Sequence, residues 1–280
     1  MIQPLLAVTE PLNQLMGIRP IASEHAAGVD MMLEFIHWFM LVLFVGWSAF
    51  FLYTLYRFRR SKHPKADHLG VTSHTSHYAE IAIVAVEAIV LLVFAFPLWA
   101  KRVRDFPNEK DAITVHVIAE QFAWNVHYPG PDGVFGRRSL KLVTPENPLG
   151  LDPTDPFAKD DITTLNQLHL PVGKPAVVYV TSKDVIHSFG VRHMRVMQDA
   201  TPGMNVPVWF TPTVTTEEMK RQLNDKDFQY EITCSQLCGI GHYRMRGFIT
   251  VDTPEQFSAW MSEQGKANAG AAAQPKNDYE

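Results

Sequence analysis

Residues 113–128 read ITVHVIAEQFAWNVHY, and this stretch decides the fold class. Ile113, Val115 and Val117 recur at every second position, the period of a half-buried strand. Phe122, Trp124, Val126 and Tyr128 continue the alternation in the opposite phase. The one-residue slip near Glu120 and Gln121 predicts a β-bulge, an extra residue that re-aims every side chain after it. Further strand-like runs occupy 167–172, 175–182, 206–211, 228–233 and 247–252, several of them bounded by proline and glycine. Many short strands without long helices between them predict a sandwich or barrel within 102–264. Residues 129–165, rich in Pro, Gly and Asp, interrupt the pattern as a long insertion, a length that is usually functional or mobile. Thr253-Pro254-Glu255-Gln256 then starts a short helix, with Thr as N-cap and Pro at the first helical position. The Ala, Gly and polar residues of 265–280 predict a disordered tail.

Upstream the composition changes. Residues 35–56 read FIHWFMLVLFVGWSAFFLYTLY with no formal charge, and 81–100 read IAIVAVEAIVLLVFAFPLWA with one acid, Glu87. At about 1.5 Å per residue the first run reaches roughly 33 Å, enough to cross a hydrocarbon core. Buried core helices are the alternative, and length and apolarity favour membrane spans. Residues 31–101 are therefore expected to form a transmembrane helical hairpin. The linker carries Arg57, Arg59, Arg60, Lys62 and Lys65, which places it on the cytoplasmic side and both termini outside. Lys101, Arg102, Arg104 and Lys110 compete at the other end of the second span. Residues 1–30, with Arg19 as their one basic residue, lack the basic start of a signal peptide and read as an extramembrane leader with room for a short surface helix.

The whole chain of 280 residues carries 25 Lys+Arg against 29 Asp+Glu, a formal net charge of −4, with no basic block of the kind that binds nucleic acid. Its 2 cysteines exclude a disulfide scaffold. They lie four apart in Cys234-Ser-Gln-Leu-Cys238-Gly-Ile-Gly-His242-Tyr-Arg-Met245, after a predicted strand. Thiolate and thioether are soft ligands that favour copper, and imidazole also suits it. His187, in DVIHSF at an earlier strand end, is a further candidate. A Cys234–Cys238 disulfide would leave His242 and Met245 unexplained. Zinc gains little from methionine. A mononuclear blue-copper site needs only one cysteine. Two cysteines, two histidines and a methionine suit two copper ions with shared thiolates. The remaining histidines and Met194 and Met197 beside His193 read as loop, interfacial or packing residues.

The C-x-x-x-C-G-x-x-H-x-x-M string resembles the CuA motif of subunit II of heme–copper cytochrome c oxidases. The same holds for DVIHSF, for DATPG at 199–203, for AEQFAW, and for the preceding hairpin. The resemblance implies a membrane-anchored all-β protein: a transmembrane helical hairpin followed by a cupredoxin-like β-barrel. It implies a subunit that takes electrons from a c-type cytochrome and passes them to heme in subunit I, where O2 is reduced to water. It implies two copper ions bridged by Cys234 and Cys238. His187 and Met245 complete one, and His242 and the Gln236 backbone carbonyl complete the other. At the Gln236 position the family commonly has Glu, whose carboxylate also binds Mg2+ or Mn2+ at the subunit I boundary, so that second site is in question here. The family's Trp-x-Trp becomes Phe122-Ala123-Trp124, which leaves Phe122 and Trp124 as electron-path candidates. Glu80 matches the acid that opens a proton pathway into subunit I, whereas Glu87 stands where the family often has proline. The implied partners are subunit I, other membrane subunits and the cytochrome. The implied location is a bacterial inner membrane, multi-pass, with the copper domain and both termini periplasmic. Rival readings are a membrane-tethered copper metallochaperone and a copper-less structural or quinol oxidase subunit. The acids Asp152, Asp155, Asp160 and Asp161 make the insertion either a docking face for a basic cytochrome or a solvated loop.

Overall fold

The computed structural model describes residues 17–66, 68–70 and 72–272. Most of the leader, 1–16, and the last part of the expected tail, 273–280, lie outside the described residues. The chain divides into two compact units, one of them helical and covering 27–105.

The helical unit contains α1 (Ala26–Arg57) and α2 (Thr75–Arg104), each long and apolar enough to cross a membrane. None of the apolar window of either helix is buried, which is not how a core helix of a soluble protein sits. In α2 the residues Val90–Ala95 form a π-helical turn. Pro97 explains it: proline lacks an N–H, and its ring meets the carbonyl four residues back, so the ladder before it must widen.

The second unit is a two-layer β-sandwich. One sheet has the order β3-β2-β1-β5-β8, built from β1 (Ile113–Glu120), β2 (Ala123–Tyr128), β3 (Ile162–Leu165), β5 (Ala176–Ser182) and β8 (Val206–Phe210). The other has the order β4-β10-β9-β6-β7, built from β4 (Gln167–Pro171), β6 (His187–Val191), β7 (Val196–Ala200), β9 (Tyr230–Cys234) and β10 (Arg246–Asp252). The pairs β1–β5 and β10–β4 are parallel and the rest antiparallel. Inward residues of both sheets form a single apolar core. Val115, Val117, Trp124, Val126 and Val178 come from the first sheet, and Leu168, Phe189, Val191, Ile232 and Ile249 from the second. Two helices flank it, the short α3 (Thr216–Leu223) and the longer α4 (Pro254–Ala272).

Three expectations change. The phase slip at Glu120–Gln121 is not a bulge but a hairpin. Val117 pairs with Val126 and Ala119 with Trp124, so an odd-numbered inward set on β1 faces an even-numbered inward set on β2. A reversal of direction and a bulge leave the same mark on the hydrophobic pattern. The insertion is shorter than 129–165, because Ile162–Leu165 is strand β3, paired with β2. The helix after Thr253 is longer than expected and continues through Ala272, past the point where the tail was to begin.

The insertion covers the outer face of β1 and β2. Phe135 stacks on His116 with centroids 4.1 Å apart and meets His127 edge-on at 5.0 Å. His127 Nε2 lies 2.6 Å from Asp161 Oδ2, and both side chains are fully buried. The Gly136 N–H donates to the same oxygen at 2.8 Å. Arg138 reaches His116 Nδ1 at 2.8 Å. Residues 17–25 belong to this unit as well. The Ala22 N–H donates to the His193 carbonyl at 2.8 Å, the Thr213 N–H donates to the Ala22 carbonyl at 2.9 Å, and Ala22 is buried in the core.

Candidate metal centre

Five side chains and one carbonyl converge at one end of the second sheet. β9 ends at Cys234 and β10 starts at Arg246, so the connection between them carries Cys238, His242 and Met245 back over the strand end. β6 lies beside β9, pairing Phe189 with Cys234, and its first residue, His187, therefore sits against that connection. A rigid pair of strands supplies two ligands and the loop supplies three.

The two thiols are free, and their sulfurs are 3.8 Å apart. His187 Nδ1 lies 3.8 Å from the Cys234 sulfur, and the Gln236 carbonyl oxygen lies 3.1 Å from it. Around Cys238, His242 Nδ1 lies at 3.6 Å and the Met245 sulfur at 3.7 Å. The ligand atoms of His187, Cys234 and Cys238 all fall within 4.8 Å of one another. His187 is fully buried, Met245 and Cys238 are 2% and 4% exposed, and His242 is half-buried.

The donor set fits soft metal ions. A metal about 2.3 Å from each of two sulfurs can bridge sulfurs up to roughly 4.6 Å apart, more than the separation found here. Without a cation, burial and the adjacent Cys234 push the Cys238 thiol up to about 11. A bound cation reverses that preference, because it stabilises the thiolate directly.

Two residues outside the ligand set complete the site. Asp184 Oδ1 accepts from His187 Nε2 at 2.8 Å, which leaves Nδ1 free to face Cys234. Burial penalises the Asp184 carboxylate, but the bonds it accepts from His187 and from the Gln121 and Val185 N–H groups outweigh that cost and hold its pKa below the ordinary value. Gln121, in the β1–β2 turn, donates from its N–H to Asp184 Oδ2 at 2.7 Å and from Nε2 to the Cys238 carbonyl at 2.6 Å. An acid three residues before a strand-end histidine was a usable signal for Asp184. Nothing local in the sequence pointed to Gln121, whose partners are 63 and 117 residues away.

Trp124 is fully buried, in edge contact with His187 at 6.3 Å and with Phe189 at 5.9 Å between centroids. Its place is behind the site, in the core. Phe122 is half-buried and packs on the metal loop: a Cβ at Gly241 would lie 2.4 Å from its ring. Glu80 and Glu87 are exposed on α2, in the other unit.

The comparisons bear directly on this set. Residues 113–252 match the family described as cytochrome C oxidase subunit II, periplasmic domain, which is half of the chain and includes every residue of the site. The chain belongs to the cytochrome c oxidase subunit II family. It is 37% identical over 161 residues to the alternative cytochrome c oxidase subunit 2 of Bradyrhizobium diazoefficiens, covering 57% of this chain and 53% of that one. The chain thus spans about half the length of that relative. It is 26% identical to cytochrome c oxidase subunit 2 of Cereibacter sphaeroides, covering 93% of this chain and 84% of that one. Among solved structures, the periplasmic domain of subunit II of cytochrome oxidase from Bradyrhizobium japonicum aligns over 58% of this chain and 99% of its own, at 26% identity and a TM-score of 0.40. The chain thus joins two helices long and apolar enough to cross a membrane to a β domain of the subunit II family.

Proposed function

We propose that this subunit II is the electron-input subunit of a respiratory terminal oxidase, receiving electrons from a c-type cytochrome and delivering them to heme in subunit I. The observation that carries the reading is the convergence of His187, Cys234, Cys238, His242, Met245 and the Gln236 carbonyl around two free thiols 3.8 Å apart. In this reading Cys234 and Cys238 bridge two copper ions. His187 and Met245 complete one, and His242 and the Gln236 carbonyl complete the other. When bound, the pair supplies a one-electron acceptor and donor whose charge is shared between two ions. The protein's part is to hold six ligands on two strands and one short loop, so that little moves as charge changes. Burial of His187, Cys238 and Met245 keeps water from reorganising around them.

The remaining roles are those that the family resemblance implies. Phe122, packed on the loop, and Trp124, behind His187, are the electron-path candidates, with Phe122 nearer the solvent. Glu80 on α2 is the proton-uptake candidate toward subunit I. The copper domain and both termini face the periplasm of a bacterial inner membrane. At Gln236 a neutral amide replaces the carboxylate that would bind Mg2+ or Mn2+, a weaker partner for a hard dication. The metallochaperone and copper-less readings gain no support from any observation of the site.

Copper quantitation and electron paramagnetic resonance on the purified full-length chain test the proposal. Two coppers per chain with a seven-line hyperfine pattern are expected. One copper with a four-line pattern overturns it.

A further inference from the structure

The β1–β2 turn reaches both halves of the ligand set through a single residue. The main-chain N–H of Gln121 holds Asp184, which in turn holds His187 Nε2. Its side-chain amide holds the carbonyl of Cys238. A carbonyl can only accept, so the amide nitrogen must face it, and no other atom of this side chain can serve. The segment after Cys238 is shaped to lie flush on this turn. Gly239 has φ +132°, a region closed to other residues, and a Cβ there would lie 2.8 Å from Gln121 Nε2. A Cβ at Gly241 would run into Phe122. His187 comes from β6 and Cys238 from the β9–β10 connection, and the Gln121 turn is bonded to the supports of both.

We propose that Gln121 is a positioning residue that sets the geometry of the metal centre, fixing the His187 imidazole through Asp184 and the Cys238 thiolate through its own main chain. The proposal rests on the copper reading above. It assigns the turn a task separate from docking. The Gln121 arms determine where two ligand atoms stand before any metal arrives, and preorganisation of this kind lowers the rearrangement that accompanies binding and electron transfer.

The test compares the wild-type full chain with Gln121→Ala and Gln121→Glu, each loaded with copper ions. The glutamate is nearly the same size but turns an acceptor toward the Cys238 carbonyl. Copper affinity is expected to fall roughly tenfold in both variants, the scale of lost outer-shell partners. The copper–thiolate absorption and the hyperfine splitting are expected to shift, at least as far in the glutamate variant as in the alanine. The unfolding temperature of the metal-free protein is expected to stay near wild type. Unchanged affinity and spectra overturn the proposal. So does a loss of thermal stability with unchanged spectra, which is what a purely structural turn residue would give. Asp184→Asn, which leaves the Gln121 side chain in place, tests the second arm and is expected to shift the same spectra; no shift overturns that arm. Should the wild type itself bind no copper pair, the copper reading fails instead, and the two failures are told apart by that one measurement.

Discussion

The sulfurs of Cys234 and Cys238 stand 3.8 Å apart, and each has a different second neighbour: His187 beside Cys234, His242 and Met245 beside Cys238. A disulfide needs about 2.05 Å between sulfurs, so this spacing is that of two thiols aimed at a common space. In the proposed copper pair, the two thiolates are the atoms of this ligand set suited to bridge both ions. Cys234→Ser and Cys238→Ser are each expected to abolish the seven-line signal, leaving at most one copper per chain. Met245→Leu is expected to keep both coppers and shift the midpoint potential, because a thioether is a weak ligand that chiefly tunes it. A seven-line spectrum in either serine variant would show that the cysteine concerned does not bridge.

Much of the candidate site was legible in the sequence because thiol, imidazole and thioether side chains are the usual soft-metal donors, and Cys234, Cys238, His242 and Met245 fall within twelve residues. The strands were legible for a similar reason, since Val115, Val117, Trp124 and Val126 carry the period of two directly. The hairpin at Gln121 was misread because a bulge and a reversal shift the inward set alike, and only the pairing of Val117 with Val126 separates them. The insertion was misread for a different reason. Asp155 and Asp161 look like solvent-facing acids in a polar loop, yet they are 4% and 3% exposed and accept hydrogen bonds that organise it. Of the four acids read as a docking face, that leaves Asp152 and Asp160 partly open to solvent. Outer-shell partners such as Gln121 were invisible because their meaning lies in contacts more than sixty residues away.

Gln236 offers a clean separation of main chain from side chain. Its carbonyl oxygen is 3.1 Å from the Cys234 sulfur, and any residue supplies that atom. Gln236→Ala is expected to retain both coppers with little spectral change. Gln236→Glu is expected to strengthen Mn2+ binding in the assembled oxidase, since a carboxylate is the better ligand for a hard dication. Loss of copper in the alanine variant would show that the side chain, not the carbonyl, holds the loop.

Acid should weaken the β unit through two histidines, His193 buried and His116 half-buried. Burial, with Arg19 and Arg195 nearby, lowers the His193 pKa from 6.5 to about 4, and its ring is enclosed by Phe228 and Tyr230. Burial, then Arg138 and His127, lowers His116 from 6.5 to about 3. The unfolded chain therefore binds more protons than the folded one below about 6.5, so stability falls as the pH drops through that value and keeps falling toward the folded pKa values. His193→Gln is expected to flatten the fall between pH 6.5 and 4 in urea unfolding of the full chain. An unchanged slope in that variant would show that other groups govern the acid limb.

The insertion is expected to act as a cover for the outer face of β1 and β2, with Asp161 as its keystone. That carboxylate holds His127 at 2.6 Å and the Gly136 N–H at 2.8 Å, and neither the histidine nor the aspartate side chain touches solvent. Removing it strands a fully buried imidazole and frees the turn that carries Phe135 onto His116. Asp161→Ala is therefore expected to cost roughly 2–4 kcal/mol, the range for breaking one side of a buried polar pair. Asp152→Asn is the control, since that carboxylate pairs at 3.4 Å with an Arg137 side chain that is 71% exposed, and it is expected to leave the unfolding midpoint where it was. Copper spectra should survive in both, because the hydrogen bonds and ring contacts described for the insertion run to His116, His127 and its own residues, on the outer face of the sheet. Equal, small effects of the two substitutions would mean that the insertion lies on the sheet without stabilising it, and its polar residues would then be free to serve a partner instead.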